Sequence, residues 1–138
     1  MYVDACAMNL IRQPEKFDVV VTTNLFGDIL SDESSQVVGG LGMAPAANLG
    51  DTFALFEPVH GAAFDIAGQN IANPSSFLLS IKMMLDWLGA KHNDQKCFEM
   101  AKKLESTIFD LVKSGIKTKD IGGDKTTTEF TKQITDNL

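Results

Sequence analysis

The spacing of apolar residues changes twice within the first forty positions. From Val3 to Ile11 they recur every three or four residues, which predicts a helix over residues 2–12. Pro14 limits the length of this helix, because proline has no amide hydrogen to donate to the preceding turn.

A short β-branched run comes next. Three consecutive valines, Val19, Val20 and Val21, predict a buried strand over residues 18–23. Helical spacing returns from residue 28 to residue 38, and two glycines then end the helix. A strand followed by a short loop and a helix is typical of an α/β fold.

The middle of the chain is rich in small residues and has little periodicity. Residues 39–51 are predicted to form a loop, and residues 52–57 a second strand with Phe53 and Leu55 on one side. Residues 58–73 again lack a period, and an unstructured loop of this length is usually functional or disordered. Their alanines and glycines favour close approach of the backbone to a ligand over disorder.

Three helices are predicted in the C-terminal half. The first opens at Asn73–Pro74 and runs to about Leu88; because it is apolar nearly all round, we expect it to be buried on most sides. A longer amphipathic helix ends near Gly115. The last helix begins with a capping box formed by Thr126 and Glu129.

This inventory has few strands for its number of helices, and its first helix starts at residue 2. A parallel sheet needs several strands joined by crossovers, and the chain offers only two to four. We therefore expect a preceding portion of the protein to be missing. We also expect the 138 residues on their own to fold poorly or to aggregate.

Composition argues against several classes of partner. A net charge of −6 without a basic stripe argues against nucleic acid. The most apolar stretch, residues 77–88, is shorter than the roughly 20 residues of a bilayer span, and no signal-peptide pattern is present. Cys6 and Cys97 are interpreted as free thiols of a cytoplasmic protein. Because Arg12 is the only arginine and Tyr2 the only tyrosine, this chain alone cannot hold an anionic substrate with an arginine cluster.

Two carboxylates on the second predicted helix are the first candidate for chemistry. Asp28 and Asp32 are four residues apart in the segment NLFGDILSD, so both project from one face of a helix. Like charges at this spacing repel, and a hard divalent cation such as Mg²⁺ or Mn²⁺ would offset the repulsion. The alternative, which spacing alone favours, is that both are ordinary acids near a helix start, stabilised by the helix dipole and facing water.

The long loop EPVHGAAFDIAGQNIANP, residues 57–74, is the second candidate. It lacks the Gly-Lys-Ser/Thr of a P-loop, and the segment from Gly40 to Pro45 lacks the third glycine of a dinucleotide fingerprint. A lone His60 is more often a hydrogen-bonded structural residue than a ligand contact, and Asp65 more often forms a turn. The residues alone therefore predict a ligand loop without specifying the ligand.

Four segments together resemble the isocitrate and isopropylmalate dehydrogenase family, and the resemblance runs the length of the chain. NLFGDILSD is similar to the metal-site helix of the family, and the loop at residues 57–74 to its cofactor loop. Residues 2–5 resemble the segment that supplies a metal ligand across the dimer. DIGGDKTTTEF, residues 120–130, resembles the C-terminal motif of the family.

For the metal, the resemblance implies three ligands. Asp28 would bind Mg²⁺ or Mn²⁺ together with the hydroxyl and carboxylate of the substrate, and Asp32 would complete the site directly or through water. Asp4 would serve the metal of the partner subunit. The metal would polarise the 2-hydroxyl during oxidation and stabilise the enolate left by decarboxylation.

For the cofactor, the resemblance implies a cradle for the adenosine half of NAD, with Ile66 and Asn73 at the adenine. Asp65 would accept hydrogen bonds from the ribose hydroxyls and repel a 2′-phosphate, which predicts NAD rather than NADP. Relatives that use NADP typically carry Lys then Tyr where this chain has Asp65–Ile66. Phe64 replaces a common proline of the family, which alters the loop without removing a ligand group. The implied contacts are His60, Gly61, Ala62, Ala63, Asp65, Ile66 and Asn73.

The implied architecture is an isopropylmalate dehydrogenase-like α/β fold that is incomplete, namely the C-terminal part of a two-domain enzyme. Residues 1–38 would end the smaller domain, which forms the dimer and binds the metal, and residues 39–138 would belong to the larger, cofactor-binding domain. The helices at residues 2–12 and 28–38 would pack with their twins in a homodimer. The apolar residues suited to that bundle, or alternatively to an ordinary core, are Val3, Ala7, Leu10, Leu30, Val37 and Val38.

The implied reaction is oxidative decarboxylation of a 2-hydroxy-3-carboxy acid with hydride transfer to NAD. Leu25–Phe26 and residues 32–35 favour 3-isopropylmalate, a substrate of leucine biosynthesis, over isocitrate or homoisocitrate. The substrate arginines, general-acid tyrosine and catalytic lysine of the family lie upstream of the segment resembled, so this chain would supply no group for proton transfer. A non-catalytic regulatory or dimerisation member is the alternative, and the retention of all three metal aspartates argues against it.

Overall fold

The computed structural model describes residues 1–138 and contains five α-helices and one two-stranded sheet, which confirms a mixed α/β fold. Three short 3₁₀ turns lie at Pro14–Lys16, Phe64–Ile66 and Lys119–Ile121. The main elements in chain order are α1 (Val3–Arg12), α2 (Asn24–Val37), β1 (Pro45–Leu49), β2 (Ala54–Pro58), α3 (Ser75–His92), α4 (Gln95–Lys113) and α5 (Thr127–Asn137).

Helix α3 is the centre of the larger packed region. The hairpin of β1 and β2 packs on it, α4 packs beside it, and α5 packs on α4. The Ser80 hydroxyl donates to the Glu57 carbonyl at 2.8 Å, and the rings of Phe56 and Trp87 meet edge to face at 6.2 Å. The buried apolar side chains of this core are Met43, Leu79, Leu104, Ile108, Leu111, Phe130 and Ile134.

The expectation that α3 is buried on most sides holds for part of its surface. Ser76, Leu79 and Ser80 are buried, the middle turns are half-buried, and Phe77 is 55% exposed. Ser76 donates to the carbonyl of Ala44, directly before β1, and Ser80 to that of Glu57 in β2, so the strands can approach the helix closely. None of the helices combines the length and apolar character that a bilayer span requires.

The two strands form an antiparallel hairpin in which Ala47 pairs with Phe56 and Pro45 with Pro58. The prediction of a continuous loop over residues 39–51 was therefore wrong at β1, and the sheet is not parallel. β1 has the sequence PAANL and contains no β-branched residue. Its strand conformation comes from pairing with β2 and from packing on α3, which outweigh weak propensity.

The prediction of a buried strand over residues 18–23 was wrong. The segment is irregular, Val19 is 80% exposed and Val21 is 92% exposed, and residues 18–22 make no backbone–backbone hydrogen bond. β-Branched residues favour a strand only where a neighbouring strand supplies ladder partners and a packing surface. No strand of this structure pairs with the valines.

Helix α2 begins at Asn24, one turn earlier than predicted from residue 28. Thr23 precedes it in an extended conformation, and no acidic residue lies in its first turn. Asp28 therefore occupies the second turn. The part of the alternative that relies on the helix dipole is weakened, because the dipole effect fades after the first turn. Its other part agrees with the structure, since Asp28 and Asp32 are both exposed to solvent.

Helices α1 and α2 form a smaller packed region of their own. Their buried cluster is Cys6, Leu10 and Leu30, with Ala7 and Phe17 partly buried against it. Of the bundle residues named from the sequence, Val37 and Val38 are 47% and 60% exposed. Most of the apolar surface of this helix pair thus faces outward.

Candidate metal and dinucleotide site

Two open cavities share one wall. The first encloses about 490 Å³ between α2 and the end of β2, and the second about 380 Å³ beneath the long loop. His60 and Gly61 line both cavities. The segments predicted for the metal and for the cofactor are therefore adjacent in space.

The first cavity is lined by carboxylates. Asp28 and Asp32 lie on the same face of α2, and Glu57 from β2 also lines the cavity without completing a group of three that could hold a metal. No lysine or arginine lines the cavity, and no hydrogen bond or ion pair engages the carboxylates of Asp28 and Asp32. Uncompensated negative charge on oxygen donors suits a hard divalent cation such as Mg²⁺ or Mn²⁺.

Asp4 does not reach this cavity. It lies exposed in the first turn of α1, where its Oδ1 accepts a hydrogen bond from the Ala5 amide at 2.7 Å. No three acidic, histidine or cysteine side chains of the chain converge as a ready-made metal site. The chain thus brings Asp28 and Asp32 together and leaves Asp4 apart, so any further ligands would come from water, a substrate or another subunit.

His60 is held at the shared wall by a local bond. Its Nδ1 lies 2.9 Å from the Gly61 carbonyl oxygen, and because a carbonyl only accepts, Nδ1 carries the hydrogen. In the neutral ring, Nε2 is then left as an acceptor. Nδ1 thus makes the structural hydrogen bond that the sequence led us to expect of His60. The rest of the ring lies between the two cavities, where a ligand could contact it.

The second cavity collects most of the predicted cofactor contacts. Its surface is mostly apolar, and its polar side chains are His60, Asn73 and Asp120. Ala62 and Asp65 lie outside it as exposed residues of the same loop. The Asp65 carboxylate makes no hydrogen bond, although its carbonyl accepts from Gln69 Nε2 at 2.7 Å. The predicted contacts that do line the cavity are His60, Gly61, Ala63, Ile66 and Asn73.

The path of the loop depends on a left-handed residue. Ala63 has a backbone φ of 46°, which residues other than glycine rarely adopt. The 3₁₀ turn begins directly after it. Phe64, where the family commonly has proline, is 87% exposed and touches neither cavity. The Phe64 side chain therefore contributes no surface to either cavity.

The second cavity is also lined by residues that were not singled out from the sequence, and Asp120 is the one charged residue among them. Asp120, from the 3₁₀ turn before α5, accepts a hydrogen bond from Asn73 Nδ2 at 3.0 Å and another from Thr118 Oγ1 at 2.6 Å. A Cβ atom on Gly42 would lie 2.8 Å from Asp120 Oδ2 and 3.0 Å from Asn73 Cβ, so a side chain there would press on both residues. The sole signal was membership of the segment DIGGDKTTTEF, because 47 residues separate Asp120 from its partner.

The long loop is fastened to the start of α5. Asn70, also left-handed with φ of 57°, uses its side-chain oxygen to accept from the Thr128 amide and hydroxyl. The Thr127 hydroxyl donates to the Ala72 carbonyl. These contacts join the cofactor loop to a helix whose Phe130 is fully buried, so the loop rests on the core.

The capping box predicted at α5 is confirmed. Glu129 accepts from the backbone amide and the hydroxyl of Thr126, both at 2.9 Å. The backbone hydrogen bond is the main cause that holds the pKa of Glu129 below its ordinary value. Nearby, a hydrogen bond from Lys125 lowers the pKa of Asp124, and the same bond raises the pKa of Lys125.

Comparison with known proteins agrees with the geometry. The sequence profile of the isocitrate/isopropylmalate dehydrogenase family matches residues 1–138. A 3-isopropylmalate dehydrogenase of Sulfurisphaera tokodaii is 52% identical over 100% of this chain, and an isocitrate/homoisocitrate dehydrogenase of Thermus thermophilus is 54% identical over 99%. The chain spans 41% and 39% of the lengths of these two relatives.

Solved structures give the same result. The crystal structure of isocitrate dehydrogenase from Methylococcus capsulatus superimposes with a TM-score of 0.88 at 40% identity, and a β-decarboxylating dehydrogenase from Thermococcus kodakarensis with 0.82 at 38%. Each superposition covers 98% of this chain, but only 39% and 38% of the respective solved chains.

Proposed function

Because the chain belongs to the isocitrate/isopropylmalate dehydrogenase family, we propose that it carries the metal carboxylates and the adenosine-binding loop of an NAD-dependent dehydrogenase that oxidatively decarboxylates a 2-hydroxy-3-carboxy acid. The observation that carries this proposal is the shared wall of the two cavities. His60 and Gly61 lie between the carboxylate pair and the loop, so a metal-bound substrate and a dinucleotide would meet there.

In this proposal Asp28 and Asp32 hold Mg²⁺ or Mn²⁺ within the first cavity. The bound metal supplies Lewis-acid chemistry for oxidation of the hydroxyl and for the decarboxylation that follows. The two carboxylates act by fixing the position of positive charge on one face of α2, where no protein cation competes. Asp4, which lies outside the cavity, is proposed to serve the corresponding site of a partner subunit in a homodimer.

The loop binds the adenosine half of NAD. Gly61 and Ala63 let the ligand approach the backbone closely, while Ile66 supplies apolar contact. Asp65 is exposed with a free carboxylate at the edge of the loop, so it is available to accept hydrogen bonds from ribose hydroxyls and to repel a 2′-phosphate. Ala62 is proposed to contribute through its backbone alone.

The substrate is proposed to be 3-isopropylmalate, with isocitrate and homoisocitrate as the alternatives; relatives bearing each of these names match the chain. Leu25 and Phe26 are exposed on the helix that carries the carboxylates but line neither site cavity, so the choice of 3-isopropylmalate rests on the resemblance and on the named relatives. Arg12 and Tyr2 line neither site cavity. Charge neutralisation of the substrate and proton transfer are therefore assigned to residues outside this chain, within a cytoplasmic enzyme.

Metal binding is tested by hydrogen exchange with and without Mn²⁺. We expect Mn²⁺ to slow exchange of amides in α2, and Asp28→Asn or Asp32→Asn to abolish the effect. Glu33→Gln is the matched control, because Glu33 is next to Asp32 on the same helix but does not line the cavity. Protection that is absent, or that survives both aspartate variants, would favour a non-catalytic member of the family.

Cofactor choice is tested by the double variant Asp65→Lys with Ile66→Tyr. We expect the preference for NAD over NADP to fall by at least about tenfold, since a cation replaces the anion that repels the 2′-phosphate. Phe64→Pro is a suitable control, because Phe64 touches neither cavity. An unchanged preference in the double variant would remove Asp65 as the determinant.

A further inference from the structure

The first turn of α5 needs acceptors that the helix itself does not provide. The first amides of an α-helix have no partner within the helix. In α5 the amide of Glu129 donates to the Thr126 hydroxyl of the capping box at 3.2 Å. The capping box therefore leaves the amides of Thr127 and Thr128 to find acceptors elsewhere.

Asn70 of the long loop supplies both acceptors. Its carbonyl accepts from the Thr127 amide at 2.9 Å. Its side-chain oxygen accepts from the Thr128 amide at 3.1 Å and from the Thr128 hydroxyl at 2.9 Å, across a sequence separation of 58 residues. Asn70 Nδ2 makes no hydrogen bond, so the side chain acts only as an acceptor. The capping of α5 is therefore complete only when the long loop is in place.

Few other contacts hold the long loop in its observed path. None of the residues from 58 to 73 is buried, and the backbone hydrogen bonds within the loop are confined to the 3₁₀ turn and its flank. The left-handed conformation of Ala63 disfavours the ordered path. A segment with so few buried contacts opens locally at low cost. Its order therefore depends on a few polar contacts, among them those of Asn70 and Ala72 with α5.

We propose that Asn70 is a positioning residue that couples binding of the dinucleotide by the long loop to the capping of α5. Asn70 lines neither cavity, but Ile71 and Ala72, directly after it, line the second. A ligand that binds only the ordered loop stabilises the cap, and the cap raises the fraction of loop that is ready to bind. Linkage makes the two effects equal in free energy. This inference rests on the proposed function, because it assumes that the loop binds NAD.

The test compares NAD binding by wild type, Asn70→Gly and Asn70→Asp, measured by calorimetry on the protein. Glycine keeps the left-handed backbone and the carbonyl but removes the side-chain acceptor, whereas aspartate keeps an acceptor. We expect Asn70→Gly to weaken NAD binding by about three- to tenfold, since loss of a helix cap leaves a smaller fraction of the loop ordered. Asn70→Asp should bind NAD within about twofold of wild type.

Hydrogen exchange of single amides supplies a second measurement that general destabilisation would not reproduce. In wild type, NAD should slow exchange of the Thr127 and Thr128 amides, because both donate to Asn70. In Asn70→Gly the effect at Thr128 should be lost first, since its acceptor is removed while the acceptor of Thr127 remains. NAD that leaves both amides unchanged in wild type would overturn the inference.

Two controls separate coupling from loss of stability. Asn137→Gly removes a hydrogen bond within α5 alone and should keep the wild-type affinity for NAD. Affinity for Mn²⁺ should be the same in Asn70→Gly as in wild type, because the carboxylates stand on α2. A parallel loss of Mn²⁺ binding would indicate general destabilisation and would overturn the inference.

The remaining outcomes distinguish this inference from the proposed function. Wild-type affinity for NAD in Asn70→Gly would overturn the inference and leave the proposed function intact. A loss in Asn70→Asp as large as that in Asn70→Gly would do the same, because the side-chain acceptor would then not be the cause. Failure of wild type to bind NAD at all would overturn both.

Discussion

The helix pair α1–α2 and the region built on α3 differ in how well they bury their apolar residues. The helix pair buries three such side chains, Cys6, Leu10 and Leu30, and leaves Leu25 and Ile29 66% and 57% exposed. The region built on α3 buries seven in one cluster, and Ile108 and Phe130 are fully inaccessible. The region built on α3 therefore has a hydrophobic core of its own, whereas α1 and α2 share only a small buried contact.

The candidate site includes residues from both regions. The carboxylates stand on α2, while the loop and Asp120 are fastened to α3 and α5. Between the regions lies a further cavity of about 520 Å³, lined by residues such as Leu30, Val38 and Pro45. The loop is therefore held by packing, whereas the position of the carboxylates depends on a loosely filled junction.

The largest effect is expected when two Phe→Ala variants, one in each region, are compared. Phe130 is fully buried in the core and Phe26 on α2 is 42% exposed. We expect Phe130→Ala to cost about 3–5 kcal/mol of unfolding free energy, as removal of a buried aromatic does, and Phe26→Ala less than about 1 kcal/mol. Native-state hydrogen exchange measures the first loss on α4 amides and the second on α2 amides.

Hydrogen exchange of the wild-type protein compares the local stability of the two regions. Amides of α1 and α2 should exchange faster than those of α4, because fewer buried contacts oppose their local opening. Equal protection of the two regions, together with a Phe26→Ala cost as large as that of Phe130→Ala, would show that they unfold as one unit.

Sequence periodicity predicted the helices well, because each has local signals that do not depend on distant partners. The capping box at Thr126 and Glu129 and the glycine after α4 are signals of this kind. The strands were predicted poorly. Three valines predicted a strand where no partner lies, and PAANL became a strand without any propensity for it, because pairing is set by neighbours that local sequence does not reveal.

The same reasoning applies to the site. Asp28 and Asp32 could be paired from helical spacing, and the long loop from its lack of period. The roles assigned to Asp4, Asp65 and the other site residues came from the family resemblance and remain predictions. Asp120 could not be found from spacing, since its bond to Asn73 closes a separation of 47 residues that only the packing of α3 and α5 creates.

A medium-sized effect is expected where the loop meets α5. Asn70→Gly keeps the left-handed backbone but removes the side-chain oxygen that accepts from Thr128. We expect a loss of about 1 kcal/mol, typical of a helix cap, and roughly fivefold faster exchange of α5 amides with no change in α1.

Asn137→Gly, at the other end of the same helix, is the control for Asn70→Gly. Its side chain bonds only within α5, to the Gln133 carbonyl, so exchange at the start of α5, where the loop is fastened, should not change. Faster exchange in α1 after Asn70→Gly would contradict the separation of the two regions.

The smallest effect is a pH dependence confined to the capping box. Because hydrogen bonds from Thr126 lower the pKa of Glu129 in the folded state, its contribution to stability is fully present above the ordinary value near 4.5 and is lost as the pH falls through the folded value. Glu129→Gln keeps an acceptor but does not titrate. The stability of wild type relative to Glu129→Gln, measured by urea unfolding from pH 7 to pH 3, should therefore decline below about pH 4.5.

Glu99→Gln on α4, where Glu99 makes no hydrogen bond of this kind, controls for loss of one charge. A constant difference for Glu129→Gln across the range would mean that the carboxylate contributes as an acceptor and not through its charge.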